Sequence, residues 1–415
     1  MTTRTTTLTD ARVFTAAGGV PFEGTVVVTG DRIAQVVPGS PASPPGPVVS
    51  LRGLTLLPGL IDAHVHAAAV EADIQDQHRR LYDSELAVLT AQSLTDMLHR
   101  GFTAVRDAGG ADAGFRRLIE QGTITGPRLL VSGRPLTQTG GHGDKRRAVE
   151  PPGAATPPSG LGMTHVVADG PDEVRRAVRE ELRRGADQIK VMAGGGVMSP
   201  TDRLDSVQYS LDEITAAVAA AAASGSYVLA HAYTAEAIEV CVAAGVRSIE
   251  HGNLLNDRAA GLMAEAGTFL VPTLVTYEKL HEQGAELGIP AANLDKLKSI
   301  IDAGLESLRT ARAAGVRIGS GSDLLGPMRQ YQGQEIARQA DAIGAAAAIT
   351  AATKTNAELL GIDADTGTIE VGKLADLIAV DGDPLAEPSL LGEPERLAVV
   401  MRGGRIHVDR TKRQH

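Results

Sequence analysis

The sequence predicts an α/β protein, a (β/α)8 TIM barrel with a small β-sandwich domain built from both chain termini. Across residues 58–362, apolar strand-like runs alternate with helical patterns that end at glycine. This alternation is typical of strand–helix units joined by parallel crossovers. On either side, short strands are separated by Gly- and Pro-rich turns, which favours one β domain formed by residues 1–57 and 363–415.

Eight barrel strands are predicted, with carboxyl ends near His66, Asp107, Ser132, Met192, His231, His251, Thr273 and Asp323. Apolar residues at helical spacing predict the helices Asp83–His99, Asp172–Arg184, Ser210–Ser224, Ala235–Ala244, Asp257–Ala266, Asn293–Ala314 and Ala345–Leu360. The terminal strands are predicted at Ala11–Thr15, Thr25–Thr29, Arg32–Val37, Thr55–Leu57, Gly367–Ile369, Leu377–Val380, Leu397–Met401 and Arg405–Val408. The insert Pro135–Gly162 is too long for a simple connection, and such a loop is usually either disordered or functional.

The amino-acid composition argues against two classes of binding partner. The net charge is −10 and the chain has no strong basic cluster, so neither nucleic acid nor an anionic membrane is expected as a partner. No apolar run is long enough to span a bilayer, and the first residues lack the apolar core of a signal peptide. The single cysteine, Cys241, is interpreted as a buried small hydrophobe. We expect a cytoplasmic protein, homo-oligomeric, acting on a small-molecule substrate.

Six candidate metal ligands occur at strand ends. His64 and His66 are separated by one residue, so both side chains lie on one face if the run is a strand. Lys190, His231, His251 and Asp323 each follow a later strand, and the carboxyl ends of barrel strands meet at one rim. Such a set fits two divalent ions ~3.5–4 Å apart. Imidazole and carboxylate donors suit zinc, with manganese or cobalt as alternatives.

Two of these residues, Lys190 and Asp323, also have a structural interpretation as an alternative to metal binding. If burial leaves its amine neutral, Lys190 can take up carbon dioxide and form an anionic bridge between metals; otherwise it is an ordinary barrel lysine in an ion pair. Asp323 is either a weak ligand that accepts a proton from the attacking water, or a helix N-cap or turn aspartate. The remaining histidines are interpreted as surface or hydrogen-bonded core residues: His78, His99, His165, His281, His407 and His415.

Several motifs together resemble the amidohydrolase superfamily. They are Pro58–His66, Ile189-Lys190, His231-Ala232-Tyr233, Ile249–Gly252, Gly321-Ser322-Asp323 and Gly367–Leu377. The resemblance covers nearly all of the chain. It is closest to the Xaa-Pro dipeptidase (prolidase-like) branch, on the motifs Thr137–Asp144, Gly194–Pro200 and Val271–Thr276.

The resemblance implies a binuclear zinc site bridged by carboxylated Lys190. One ion is expected on His64 and His66, completed by Asp323, and the other on His231 and His251. It also implies that two further residues, His142 and Tyr233, reach the substrate carbonyl or the oxyanion.

The expected activity is hydrolysis, by a metal-activated hydroxide, of the amide bond to the C-terminal residue of a dipeptide or an N-acyl amino acid. Residues 140–147 would act as a lid, and Arg203, Lys145 or Arg146 would meet a substrate carboxylate. An alternative is a non-peptide amide, carbamate or cyclic amide, such as an ochratoxin-type amide or imidazolonepropionate. A remote alternative is a non-catalytic barrel scaffold, although every candidate ligand is present.

Overall fold

The computed structural model of the chain describes residues 4–74, 77–146, 149–150, 161–199 and 202–411. Arg147, predicted in the lid, and His415, interpreted as a surface or hydrogen-bonded core residue, lie outside the described residues. The same holds for residues 151–160 of the insert.

Strands from both ends of the chain form one sheet. They are β1 Thr5–Val13, β2 Phe22–Thr29, β3 Arg32–Pro38, β4 Val48–Ser50, β5 Leu54–Pro58, β16 Leu377–Asp381, β17 Leu397–Arg402 and β18 Arg405–Asp409. The order is β18-β17-β16-β5-β1-β2-β3, with β4 beside β1. The two termini join where β5 pairs antiparallel with β16, from Leu54–Asp381 to Pro58–Leu377. Apolar side chains of both segments share one buried cluster.

The strands between these ends are parallel. They are β6 Leu60–Val65, β7 Phe102–Asp107, β8 Arg128–Val131, β9 Leu136–Thr137, β10 Val166–Val167, β11 Ile189–Met192, β12 Val228–Thr234, β13 Ser248–Leu254, β14 Phe269–Val271 and β15 Arg317–Ile318. They form two sheets, β6-β7-β8 and β10-β9-β11-β12-β13-β14-β15. Backbone hydrogen bonds connect the sheets on both sides, from Asp187 N to Val131 O at 2.7 Å and from Ala63 N to Ser320 O at 2.9 Å. This mixed α/β architecture with parallel sheets fits the predicted TIM barrel.

Helices follow most of the parallel strands. They are α1 Gln77–Arg80, α2 Asp83–His99, α3 Ala113–Glu120, α4 Gly170–Arg183, α5 Leu211–Ala222, α6 Ala235–Ala244, α7 Asp257–Ala266, α8 Leu274–Gln283, α9 Ala291–Leu297, α10 Ala303–Ala313, α11 Gln334–Ile343, α12 Ala345–Thr350 and α13 Asn356–Leu360. Shorter turns are the 3₁₀ segments Gly326–Tyr331, Pro388–Gly392 and Pro394–Arg396 and the π segment Ala351–Thr355. Among the described residues, no helix combines the length and the apolar character needed to cross a bilayer.

The structure departs from the predicted elements in several places; helices α1, α3 and α11 and strands β4, β9 and β10, for example, were not predicted. The predicted helix Asn293–Ala314 is two helices, α9 and α10, and Asn253 Nδ2 donates to the Ile300 carbonyl in the break at 3.2 Å. Helix α8 was not predicted from the pattern. The predicted strand Gly367–Ile369 is irregular, because Gly367 has a left-handed φ of 92° that a regular strand does not adopt.

A buried carboxyl, Glu335 of α11, caps the start of α8. Its Oε2 accepts from Val275 N at 2.7 Å and its Oε1 from Gln339 Nε2 at 2.9 Å. Burial raises the pKa of Glu335 to about 8. The folded protein therefore keeps the proton that the unfolded chain has already released, and this group lowers stability as pH rises from about 5 to 8.

We expect Glu335→Gln to remove this part of the pH dependence. Its melting temperature relative to wild type should rise by about 2–5 °C between pH 5 and pH 8, because the amide cannot ionise. Melting curves of both proteins across that range check this. A difference that stays constant with pH would mean that Glu335 does not titrate there.

Candidate active site

Eight of the nine predicted site residues line one cavity. It opens at the carboxyl ends of the parallel strands, and the eight are His64, His66, His142, Lys190, His231, Tyr233, His251 and Asp323. The ninth, Arg203, does not line it: its side chain is 83% exposed and its guanidinium pairs with Asp205 at 2.7 Å.

Asp323 lies among the imidazoles. Its Oδ1 is 3.2 Å from His66 Nε2 and 3.6 Å from His64 Nε2, and its Oδ2 is 3.9 Å from His251 Nδ1. Donor atoms of His64, His251 and Asp323 all lie within 4.8 Å of one another. The His231 ring is 4.5 Å from the His251 ring, measured between centroids.

The protonation states suit metal binding. Burial lowers the pKa of His64 to about 4 and the pKa values of His231 and His251 well below their ordinary value. Burial alone would raise the pKa of Asp323, but His64, His66 and Lys190 hold it below its ordinary value. Neutral imidazoles with one carboxylate are a donor set that fits a divalent ion.

In each of the four histidines, one ring nitrogen is held by a protein partner. The pairs are His64 Nδ1 with Glu250 Oε2 at 2.7 Å, His66 Nδ1 with Gly109 O at 2.8 Å, His231 Nε2 with Gly195 O at 2.9 Å and His251 Nδ1 with Thr273 Oγ1 at 2.8 Å. Partners of this kind fix the tautomer and the orientation of a metal-ligating imidazole. This pattern is the second reason that the residues fit a metal ion.

Lys190 is a fully buried lysine of β11. Burial lowers the pKa of its amine to about 8, although Glu250 and Asp323 oppose the shift. About one tenth of the amine is therefore neutral at pH 7, far more than for an ordinary lysine, and the neutral amine is the form that reacts with carbon dioxide.

Glu250 and Arg106 are site residues to which sequence reasoning assigned no role. Glu250 Oε1 lies 2.8 Å from Arg106 Nη2 and accepts from Ser248 Oγ at 2.6 Å, while Oε2 meets His64. Burial opposes ionisation, but Arg106 and His64 lower the pKa of Glu250 to about 2. The sequence carried one signal for this pair: each residue is a charged position inside an otherwise apolar strand, and the two charges are opposite. Buried charges are usually paired, so the two residues could have been expected to meet.

We expect Glu250→Gln to weaken both the fold and the metal site. The substitution leaves the buried Arg106 without its counter-charge, which lowers the free energy of unfolding by about 3–5 kcal/mol. It also weakens the hydrogen bond that orients His64, which lowers metal affinity about 10- to 100-fold. Denaturant unfolding and metal titration of the variant check the two effects. Unchanged values in both would contradict this role for Glu250.

The backbone is left-handed at three residues beside the site. His251, Thr273 and Asp323 have φ values of 77°, 48° and 50°. A regular strand would point Glu250 and His251 to opposite faces. Both nevertheless reach His64, since the His251 ring lies 5.0 Å from the His64 ring. The left-handed residue breaks the alternation, at a cost of about 1–3 kcal/mol of a kind that clusters at functional sites.

His142 and Tyr233 flank His231. The His142 ring stacks on His231 at 4.4 Å between centroids, and Nδ1 is 3.1 Å from Ser199 Oγ. A Cβ on Gly196 would lie 2.1 Å from His142 Cε1, so glycine is needed there for the two loops to meet. Tyr233 accepts a hydrogen bond from Tyr277 at 3.1 Å, and burial raises its pKa, so its hydroxyl keeps a proton to donate.

His165 corrects the sequence interpretation. It was expected at the surface or hydrogen-bonded in the core, but it lines the same cavity. Its Nδ1 is buried with no hydrogen-bond partner among the described residues. Lys145 also lines this cavity, whereas Arg146 is held by Asp144, with Nε 2.7 Å from Oδ1.

Comparison with known proteins shows similarity to hydrolases. Residues 55–407 match the Amidohydrolase family. The ochratoxinase of Aspergillus niger is 32% identical over 408 residues, a match that covers 94% of this chain and 84% of that protein.

Two solved structures share the fold over almost the whole chain. One is a prolidase complexed with N-methylphosphonate-L-proline, with a TM-score of 0.93 and 42% identity, covering 98% of this chain and 100% of that one. The other is a Xaa-Pro dipeptidase with methionine bound in the active site, with a TM-score of 0.88 and 31% identity, covering 97% of this chain and 100% of that one.

Proposed function

The chain belongs to the amidohydrolase family, and from that premise we propose that it hydrolyses the amide bond to the C-terminal residue of a dipeptide or an N-acyl amino acid. The observation that carries the proposal is the convergence of four imidazoles, Lys190 and Asp323 around one cavity. The prolidase and Xaa-Pro dipeptidase structures to which the chain is similar support this bond type.

Two divalent ions, zinc first with manganese or cobalt as alternatives, are the cofactors that we assign to this cavity. His64, His66 and Asp323 would hold one ion, and His231 and His251 the other. When bound, such ions acidify a water and polarise the scissile carbonyl. The Lys190 amine would add to the carbon of carbon dioxide and lose one proton, which gives a carbamate anion between the two sets of ligands.

The side chains of the site supply the proton transfer and stabilise the charge that develops on the substrate. Asp323 accepts the proton of the attacking water and passes it to the leaving nitrogen. His142 and Tyr233 donate hydrogen bonds to the carbonyl oxygen as negative charge develops on it. The ring stacking of His142 and the Tyr277 hydrogen bond to Tyr233 hold these donors in place beforehand.

The scaffold that we propose is a closed (β/α)8 barrel over residues 58–362 with a composite β-sandwich of residues 1–57 and 363–415. The hydrogen bonds between the two parallel sheets support closure, and the shared terminal sheet supports the composite domain.

A second candidate is an ochratoxin-type amide, in which the acyl group is not an amino acid. The 32% identity to ochratoxinase favours it. The apolar part of the cavity wall suits either an apolar amino acid or an apolar acyl group; it includes Ile74, Met163, Val197, Leu280 and Leu325.

The test is a substrate panel with metal removal. Xaa-Pro and other dipeptides and simple N-acyl amino acids are assayed side by side with ochratoxin A, carbamates and cyclic amides, and turnover of ochratoxin A alone would favour the second candidate. We expect turnover of dipeptides or N-acyl amino acids, loss of activity after chelation and recovery with zinc. Full activity in the stripped protein would contradict the metal mechanism, and no turnover of any compound would favour a non-catalytic scaffold.

A further inference from the structure

We propose that Lys145 and His165 together bind the free carboxylate of the substrate. The inference rests on the proposed function and identifies which side of the cavity recognises the leaving amino acid. Both residues line the cavity that holds the candidate metal ligands.

Among the described basic residues of this region, Lys145 makes no close ion pair, although Asp73 acts on its amine from beyond ion-pair distance and opposes the lowering of its pKa. Arg146 is bound by Asp144 and Arg203 by Asp205. The Lys145 amine makes one long hydrogen bond to the Ile74 carbonyl, at 3.4 Å, and no described carboxylate lies within ion-pair distance of it. Burial lowers the pKa of this amine to about 7. A substrate carboxylate would give the Lys145 amine a counter-charge within hydrogen-bond distance. Hydrogen bonds between charged groups are stronger than those between neutral groups.

His165 supplies the second unpaired polar group. The residue is 9% exposed, and its buried Nδ1 has no partner among the described residues. Burial and then the charge of Lys145 lower its pKa well below the ordinary value, so the ring is neutral. A neutral imidazole with its proton on Nδ1 donates one hydrogen bond to a carboxylate oxygen. A buried polar atom without a partner is costly unless a ligand satisfies it.

The fold brings the two residues together, Lys145 from within the insert and His165 from just beyond its end. His165 directly precedes β10, which pairs parallel with β9, and Lys145 follows β9. A Cβ on Gly143 would lie 2.4 Å from His165 Cδ2, so the glycine lets the Lys145 loop pack against the imidazole. The cavity therefore has the candidate metal ligands at the strand ends and, on another side, a polar region formed by Lys145 and His165.

The test compares each free acid with the same compound carrying a terminal amide. Wild type should prefer the acid by about 100-fold or more in kcat/KM. Lys145→Met should reduce that acid-to-amide ratio about 100-fold, mainly through KM of the acid, and Lys145→Gln should act in the same direction if the methionine variant does not fold. Lys145→Arg should retain more of the preference than Lys145→Met. His165→Leu should reduce the ratio about 10-fold, and His165→Asn less because it keeps a donor.

Lys298→Met, which removes an exposed lysine paired with Asp295, is the matched control. An unchanged acid-to-amide ratio in Lys145→Met, or a wild type that does not discriminate, would overturn the subsite. If wild type hydrolyses nothing in the panel, the proposed function fails separately. Calorimetry with N-acetyl-L-proline and N-acetyl-L-prolinamide then tests the subsite directly. The proposal requires that wild type binds the acid more tightly than the amide and that Lys145→Met binds the two equally.

Discussion

Replacement of Asp323 by asparagine is expected to lower kcat by about 10³-fold or more while the fold is retained. The carboxylate lies 3.2 Å from His66 Nε2 and 3.6 Å from His64 Nε2, where it would hold an ion and accept the proton of the attacking water. Asparagine keeps the size and one oxygen, but it cannot take up a proton near neutral pH. We also expect weaker metal binding, because an amide oxygen is a poorer ligand than a carboxylate.

Steady-state kinetics on the best substrate of the panel, with metal content and circular dichroism measured on the same samples, check this expectation. Asp295→Asn is the matched control, because that carboxylate is exposed and pairs only with Lys298 among the described residues. A loss in Asp323→Asn of less than about 10-fold would support the turn-residue alternative and remove Asp323 from the mechanism.

Lys190→Met is expected to separate function from stability. We expect kcat/KM to fall by about 10³-fold or more, about 4 kcal/mol of transition-state stabilisation, and bound metal per chain to fall because the bridging carbamate cannot form. The metal-free variant should nevertheless be at least as stable as metal-free wild type, since methionine removes an amine that burial already makes hard to ionise.

The ordinary ion-pair alternative for Lys190 predicts the opposite result. Removing one partner of a buried pair would destabilise the metal-free protein by about 3–5 kcal/mol and leave metal content unchanged. Elemental analysis and denaturant unfolding of the metal-free proteins distinguish the two outcomes, with Lys298→Met as control. Reconstitution of wild type with zinc should also depend on added bicarbonate, because the carbamate takes its carbon from carbon dioxide.

The metal donors were predictable because each one follows an apolar run, and parallel strands bring such positions to one rim. His64 and His66 needed only the two-residue repeat of a strand. His251 also follows an apolar run, but its own left-handed backbone breaks the strand alternation beside Glu250. No local sequence pattern predicts a left-handed backbone conformation in a residue other than glycine.

Residues that act through another residue were harder to predict. Thr273 holds His251, and Glu250 holds His64 across 186 positions of sequence, a relation that only the folded chain creates. His165 lacked a signal because no long apolar run precedes it in the sequence. Helix α8 begins directly after the left-handed Thr273, where the sequence pattern indicated the end of a strand.

The pairing of β5 with β16 has a consequence for synthesis in the cell. Residues 54–58 leave the ribosome long before residues 377–381, and at about 5–20 residues per second the delay is roughly 15–65 seconds. Throughout that interval the apolar strand β5 has one unpaired edge, which is a site for association with other nascent chains. The protein is thus expected to depend on chaperones during translation more than after it, and truncated nascent chains that end before β16 should aggregate.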